Sequence, residues 1–328
     1  MEKDNTKTSL DAELNNLEAI SISVVIPMYN EEGSLPELVK LLEDNLEELS
    51  TGKYEVIFID DGSTDSSLEI LKKQHLANSR IKVISFRRNY GKSAALAVGF
   101  ERAKGDIIIT MDSDLQDDPA EIKNLIDKLD EGYDLVSGWK KTRHDPINKT
   151  LPSKLFNYVT SLSAGIKLHD FNCGLKAYSK EAAKSLEVYG EMHRYLPALS
   201  HWDGFRVTEI PVLHHPRKYG KTKFGASRYL KGFLDLLTIL FTTRYFKRPL
   251  HFFGAFGVLF TCLGFGINLY LSIEWFLKNT YLSNKPLLLL GIALIIVGVQ
   301  FISTGLIGEM LAKQNNKKIN YNIKEEIL

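Results

Sequence analysis

Two apolar runs constrain this chain more than any other feature. Residues 252–273 and 286–307 are free of charged side chains, and each approaches the ~20 residues that cross a bilayer as a helix. The alternative, two buried helices of a soluble domain, fits their length and lack of charge less well. The sequence therefore predicts a two-helix transmembrane hairpin within residues 249–311. Arg244, Lys247 and Arg248 precede the first run and Lys313, Lys317 and Lys318 follow the second, against Lys278 and Lys285 between them. By the positive-inside rule both outer ends face the cytoplasm. That predicts a multi-pass inner-membrane protein with its large N-terminal region and both termini cytoplasmic. Residues 1–19 form a polar tail without the basic start and apolar stretch of a signal peptide, and residues 312–328 read as a cytoplasmic tail. Ahead of the hairpin, Arg228, Lys231, Asp235, Thr238 and Thr242 recur at spacings of three and four, with Tyr229, Phe233, Leu237 and Phe241 on the other side. Residues 226–248 are thus expected to lie as an amphipathic helix in the membrane interface or, failing that, on the soluble domain.

Residues 20–225 have a different pattern. Segments 21–27, 55–60, 81–86, 106–111 and 134–137 are short, Val- and Ile-rich runs closed by turn residues, as buried strands are. Helical spacing fills 36–49, 65–74, 93–103 and 119–129 between them. This order predicts an α/β domain with a mostly parallel sheet and helices on both faces, whose ligands bind beyond the carboxyl ends of the strands. A formal net charge of +1 gives no field that favours nucleic acid. The two cysteines, Cys173 and Cys262, are too far apart in sequence and context to form a metal motif or a disulfide framework.

The residues that follow the strands carry chemistry. Pro27-Met28-Tyr29-Asn30-Glu31-Glu32 brings a ring able to stack on a base, although Asn30 and the two glutamates also suit a helix start. Asp60-Asp61-Gly62-Ser63-Thr64-Asp65 has turn composition, yet it follows a strand and precedes a helix, which makes Asp61 a strand-end carboxylate able to bond an N–H of a base. Asp112-Ser113-Asp114-Leu115-Gln116 is the strongest signal. Carboxylates at alternate positions of an extended chain point the same way, so Asp112 and Asp114 can share a Mg²⁺ or Mn²⁺ ion whose shell diphosphate oxygens complete. An EF-hand is excluded because Asp117 stands where its glycine belongs. Gly91-Lys92-Ser93 is not a P-loop, since Phe86 occupies the first glycine position and no GxGxxG follows a strand. His193, His201, His214 and His215 lack zinc-ligand spacing and read as surface or core histidines. Arg217, Lys218, Lys221 and Lys223 form a cationic loop that suits phosphate or lipid headgroups equally.

Taken in order, Pro27 to Glu31, Asp60 to Asp65, Asp112 and Asp114 with Gln116, and the Arg217 to Lys223 loop resemble family-2 glycosyltransferases of GT-A fold. With two C-terminal spans, the chain is similar to polyprenyl-phosphate hexosyltransferases such as bactoprenol glucosyltransferases and dolichyl-phosphate mannosyltransferases. The resemblance implies that Pro27, Tyr29, Asn30, Glu31, Asp61 and Asp112 hold the nucleotide. It assigns Asp112, Asp114 and Gln116 to the metal and diphosphate, Asp170 to the catalytic base, and Arg217 and Lys223 to a loop that closes over the phosphates. It further implies inverting transfer of one hexose from a nucleotide sugar, UDP-glucose ahead of GDP-mannose or UDP-N-acetylglucosamine, to polyprenyl phosphate by a homotetramer. Processive synthases carry Gln-x-x-Arg-Trp where this chain reads Glu191-Met192-His193-Arg194-Tyr195, which argues against polymerisation. A transferase with a saccharide or protein acceptor, and a non-catalytic membrane scaffold on a retained nucleotide-binding fold, are the competing expectations.

Overall fold

A computed structural model describes residues 21–50, 53–141, 157, 158, 160–162, 164–216, 218, 249–277, 285–314 and 323–327. The expected N-terminal tail, the interfacial helix, Arg217 and Lys223 lie outside the described residues. The chain divides into two compact units, Met1–Gly232 with Asn320–Leu328, and Phe233–Ile319.

In the first unit the strands are β1 (Ile22–Met28), β2 (Tyr54–Asp60), β3 (Ile81–Phe86), β4 (Ile107–Thr110), β5 (Leu135–Trp139), β6 (Lys176–Ser179), β7 (Val207–Pro211) and β8 (Ile323–Ile327). They form one sheet in the order β7-β5-β6-β4-β1-β2-β3-β8. Pairing is parallel from β4 through β1 and β2 to β3 and again between β5 and β7, whereas β6 runs antiparallel to both of its neighbours. β1 and β2 are buried on both faces, which is why each reads as an apolar run without alternation.

Successive side chains of a strand point to opposite faces, and two cores follow. Val24, Ile26, Val56 and Phe58 pack with α1 (Leu35–Ser50), through Leu35, Leu38, Leu42 and Leu46, and with Ile122 and Leu125 of α4 (Glu121–Asp130). On the opposite face Val25, Ile57, Ile59 and Ile84 pack with Ala94, Ala95 and Val98 of α3 (Lys92–Arg102). The unit also contains the helices α2 (Ser67–Ala77), α5 (Lys180–Ser185) and α6 (Leu196–Trp202). The C-terminal tail supplies β8, antiparallel to β3, with Lys72 Nζ 2.7 Å from Glu325 and Arg102 Nε 2.7 Å from Glu326.

The second unit contains α7 (Pro249–Phe276) and α8 (Pro286–Gln314), both long and apolar enough to cross a membrane. Glycines let their backbones touch. A Cβ at Gly264 would stand 2.5 Å from the Gly291 carbonyl, and one at Gly257 2.7 Å from that of Gly298. Close approach through small residues is how apolar helices associate where no hydrophobic driving force exists between them. Phe253, Phe256 and Phe260 add edge-on or tilted contacts to Phe301.

Candidate active site

The predicted nucleotide and metal residues lie at the carboxyl ends of β1, β2 and β4. Past β1, Asn30 takes φ +55° and clamps the loop after β2, its N–H donating to Ser63 Oγ at 2.9 Å and its Oδ1 accepting from Thr64 N–H at 2.8 Å. Glu31 N–H donates to Ser67 Oγ at 3.0 Å. Tyr29 is half-buried and Pro27 lines a small pocket described below. Asp61 is buried and turned towards the next loop, accepting from Tyr90 N–H at 2.6 Å and Gly91 N–H at 2.9 Å. Burial raises its pKa; the two N–H donors oppose that rise and Asp60 adds to it. A carboxylate has acceptor capacity beyond two bonds, so a base can join the loop at Asp61. Gly62, at φ +75°, lies where a Cβ would meet the Arg88 backbone at 2.7 Å, so only glycine lets these two loops close.

After β4 the chain bends at residues 113–115 instead of continuing extended, and Leu115 takes φ +59°. Asp112 is half-exposed and ion-paired with Lys92 at the start of α3, while Asp114 is buried and accepts from Gln116 N–H at 3.2 Å. Ser34 Oγ donates to Ser113 O at 2.7 Å and ties this loop to the one after β1. Burial would raise the Asp112 pKa, but the positive charge of Lys92 prevails and lowers it. No group of three or more His, Cys, Asp or Glu side chains converges among the described residues. That donor set fits a hard divalent ion taken from one or two carboxylates, with substrate phosphate completing the shell. It does not fit a resident protein-only cage.

Asp170 is buried, and its Oδ1 accepts from Asn172 N–H at 3.2 Å. Its loop reaches the metal loop at Gly174, where a Cβ would stand 2.6 Å from Asp112 Cγ. The loop that carries Asp170 therefore meets the loop that carries Asp112. Sequence reasoning missed the cations beneath them. Lys140, directly after β5, places Nζ 2.8 Å from the fully buried Asp117, and His214 lies 3.9 Å from the same oxygen. Burial works against both charges, yet each holds the other ionised, Asp117 below and Lys140 above its ordinary range. His215 Nε2 sits 3.0 Å from Asp118, so two histidines read as bland anchor this loop. Lys176 is buried with Cys173 O as an acceptor, and burial lowers its pKa. Burial pushes the Cys173 thiol up to about 12, which leaves it inert. Lys218 pairs with Glu37 at 2.7 Å. A position immediately after a strand was the one signal that could have exposed Lys140.

Known proteins are similar to this chain in sequence and in fold. Residues 23–187 match the family described as Glycosyl transferase family 2. A dodecaprenyl-phosphate galacturonate synthase of Rhizobium johnstonii is 35% identical over 94% of both chains. An undecaprenyl-phosphate 4-deoxy-4-formamido-L-arabinose transferase of Klebsiella pneumoniae is 34% identical over 90% of this chain and 89% of its own. Among solved structures, glucosyl-3-phosphoglycerate synthase of Mycobacterium tuberculosis superposes with a TM-score of 0.52 at 23% identity, covering 70% of this chain and 83% of that one. A mannosyltransferase of Pyrobaculum calidifontis, in complex with GDP-Man and Mn²⁺, gives 0.51 at 16% identity, covering 90% and 76%. At those identities the likeness concerns the fold. The chain belongs to glycosyl transferase family 2 and is a glycosyltransferase of GT-A fold.

Proposed function

We propose that the protein transfers one sugar from a nucleoside diphosphate to a polyprenyl phosphate, with inversion, at the cytoplasmic face of the inner membrane. The observation that carries this reading is the extent of the match to the dodecaprenyl-phosphate synthase. The unmatched 6% of the chain is shorter than either apolar helix, so the likeness reaches beyond the sugar-transferring domain into both helices. Connectivity supports the placement. The chain leaves the sheet unit before α7 and rejoins it at β8, so an even number of crossings returns it to the same side, and the flanking lysines and arginines put that side in the cytoplasm.

In the reaction, an oxygen of the lipid phosphate attacks the anomeric carbon while the bond from that carbon to the diphosphate breaks, and the nucleoside diphosphate leaves with the electron pair. Asn30, Glu31 and Asp61 with the loops they clamp hold base and ribose, Pro27 and Tyr29 beside them. Asp112, Asp114 and Gln116 hold Mg²⁺ or Mn²⁺, which when bound offsets charge on the departing diphosphate. Arg217 and Lys223 close over the phosphates. A phosphate monoester, with a second pKa near ~6, is largely ionised at neutral pH, so Asp170 orients a cation or the sugar more than it removes a proton. UDP-glucose is the donor placed first, ahead of GDP-mannose and UDP-N-acetylglucosamine. These donors differ in the base and at C2 of the sugar, and a site built to bond such a group rejects an analogue that lacks it by about 10⁴- to 10⁵-fold. A homotetramer is the assembly proposed.

The test incubates detergent-purified protein with Mg²⁺ or Mn²⁺, undecaprenyl phosphate and each radiolabelled nucleotide sugar, beside an Asp114→Ala control. Metal-dependent label in the organic phase, lost in the control, names the sugar. Donor hydrolysis without a lipid-linked product refutes the acceptor.

A further inference from the structure

The segment that replaces the processive Gln-x-x-Arg-Trp forms a short 3-10 turn, Met192–Arg194. It brings His193 to the pocket lined also by Lys92, Asp112 and Lys176. Ser93, buried in the first turn of α3, has its Oγ 3.1 Å from the N–H of His193 and 2.9 Å from Nδ1 of the same ring. These contacts place the protons. Were Ser93 Oγ to accept from both, its own buried hydroxyl hydrogen would lack an acceptor among the described residues. Donation to Nδ1 gives that hydrogen an acceptor while Oγ still accepts from the His193 N–H. Burial first, then the charges of Lys92 and Arg194, push the His193 pKa down to about 3. The ring is therefore neutral, and a neutral imidazole that accepts at Nδ1 carries its hydrogen on Nε2. Nε2 has no partner among the described residues, and the ring lines the pocket.

We propose that Ser93 presets His193 as a neutral N–H donor to a phosphoryl oxygen of the reacting complex, beside Lys92 and Lys176. Donor groups of three side chains face a single carboxylate in this pocket, a balance that favours an anionic acceptor over a hydroxyl. The proposal rests on the sugar-transfer reading and adds to it a contact with either the donor's diphosphate or the lipid's phosphate. His193 touches the substrate, and Ser93 is a positioning residue.

The experiment compares wild type with His193→Ala, His193→Gln, Ser93→Ala and the Ser93→Ala/His193→Ala pair. It measures melting temperature, UDP affinity in Mn²⁺ by calorimetry, and kcat and KM for lipid phosphate. A bond to a charged oxygen predicts a loss of about 10-fold to 100-fold for His193→Ala. His193→Gln, whose amide N–H reaches the Nε2 position, recovers most of it, and Ser93→Ala adds nothing once His193 is gone. Weaker UDP binding assigns the donor diphosphate, whereas intact UDP binding with a raised KM for lipid phosphate assigns the acceptor. If wild type binds UDP but forms no lipid product, the acceptor reading fails and UDP affinity alone decides for or against His193. The inference is overturned if folded His193→Ala stays within twofold of wild type, or if His193→Gln is as impaired as His193→Ala.

Discussion

Removal of the Lys140 ammonium tests the ion pair under the metal loop. Asp117 is fully buried and Lys140 only 15% exposed, so neither charge is shared with bulk water. Lys140→Met keeps the length of the side chain and leaves a carboxylate without its cation. Breaking such a pair costs about 3–5 kcal/mol, equivalent to roughly 6–20 °C in melting temperature for a domain of this size. Trp139 is next in sequence and stacks on His169 at 4.1 Å, so tryptophan fluorescence of the full chain in detergent reports the local transition during urea or thermal unfolding. The Lys140→Met/Asp117→Leu pair, which removes both charges, should regain most of the loss. The sign with pH follows from the depressed Asp117 pKa. A carboxylate whose folded pKa lies below its unfolded value of ~3.9 stabilises fully above that value, and the contribution fades as pH falls towards the folded pKa. The gap between wild type and Lys140→Met should therefore persist at pH 7 and narrow below about pH 4. A loss under about 1 kcal/mol, or a double variant no more stable than the single, would refute a desolvated pair and make Lys140 a surface lysine.

Gly174→Val should abolish metal-dependent transfer while UDP binding without metal stays within about threefold, because the added Cβ strikes Asp112 Cγ and not the base loops; calorimetry with and without Mn²⁺ reads the difference. Deleting residues 320–328 removes β8 and both partners of the Lys72 and Arg102 ion pairs. Exposed pairs contribute about 0.2–1 kcal/mol each, so the melting temperature should fall only by a few degrees. The bared edge of β3 should instead appear as self-association in size-exclusion chromatography, with KM for the donor unchanged.

The first half of the fold was legible because its strands are buried on both faces. A doubly covered strand must be apolar along its whole length, and β1, β2 and β3 announce themselves for that reason alone. The strands after β5 carry no such mark. β6 opens with Lys176, β7 is the half-buried Val-Thr-Glu-Ile-Pro, and β8 is the charged Ile-Lys-Glu-Glu-Ile, which becomes a strand only because β3 offers it an edge. Their stability comes from partners distant in sequence, and no local pattern encodes that. The site divides in the same way. Asp61 and Asp112 follow apolar strands and could be found by position, whereas Ser93 and His193 are 100 residues apart, and only the closed fold brings the hydroxyl of one within 2.9 Å of the ring of the other.

That division has a consequence for specificity. The residues legible in sequence sit on loops clamped to one another by Asn30, Ser34 and Asp61, which we propose as the frame for the nucleotide. The residues that were not legible, Lys176 and His193, line one small pocket together with Asp112. Their proposed partner is a phosphoryl oxygen, which every nucleotide sugar and the lipid phosphate have in common, so the choice of sugar falls to other residues.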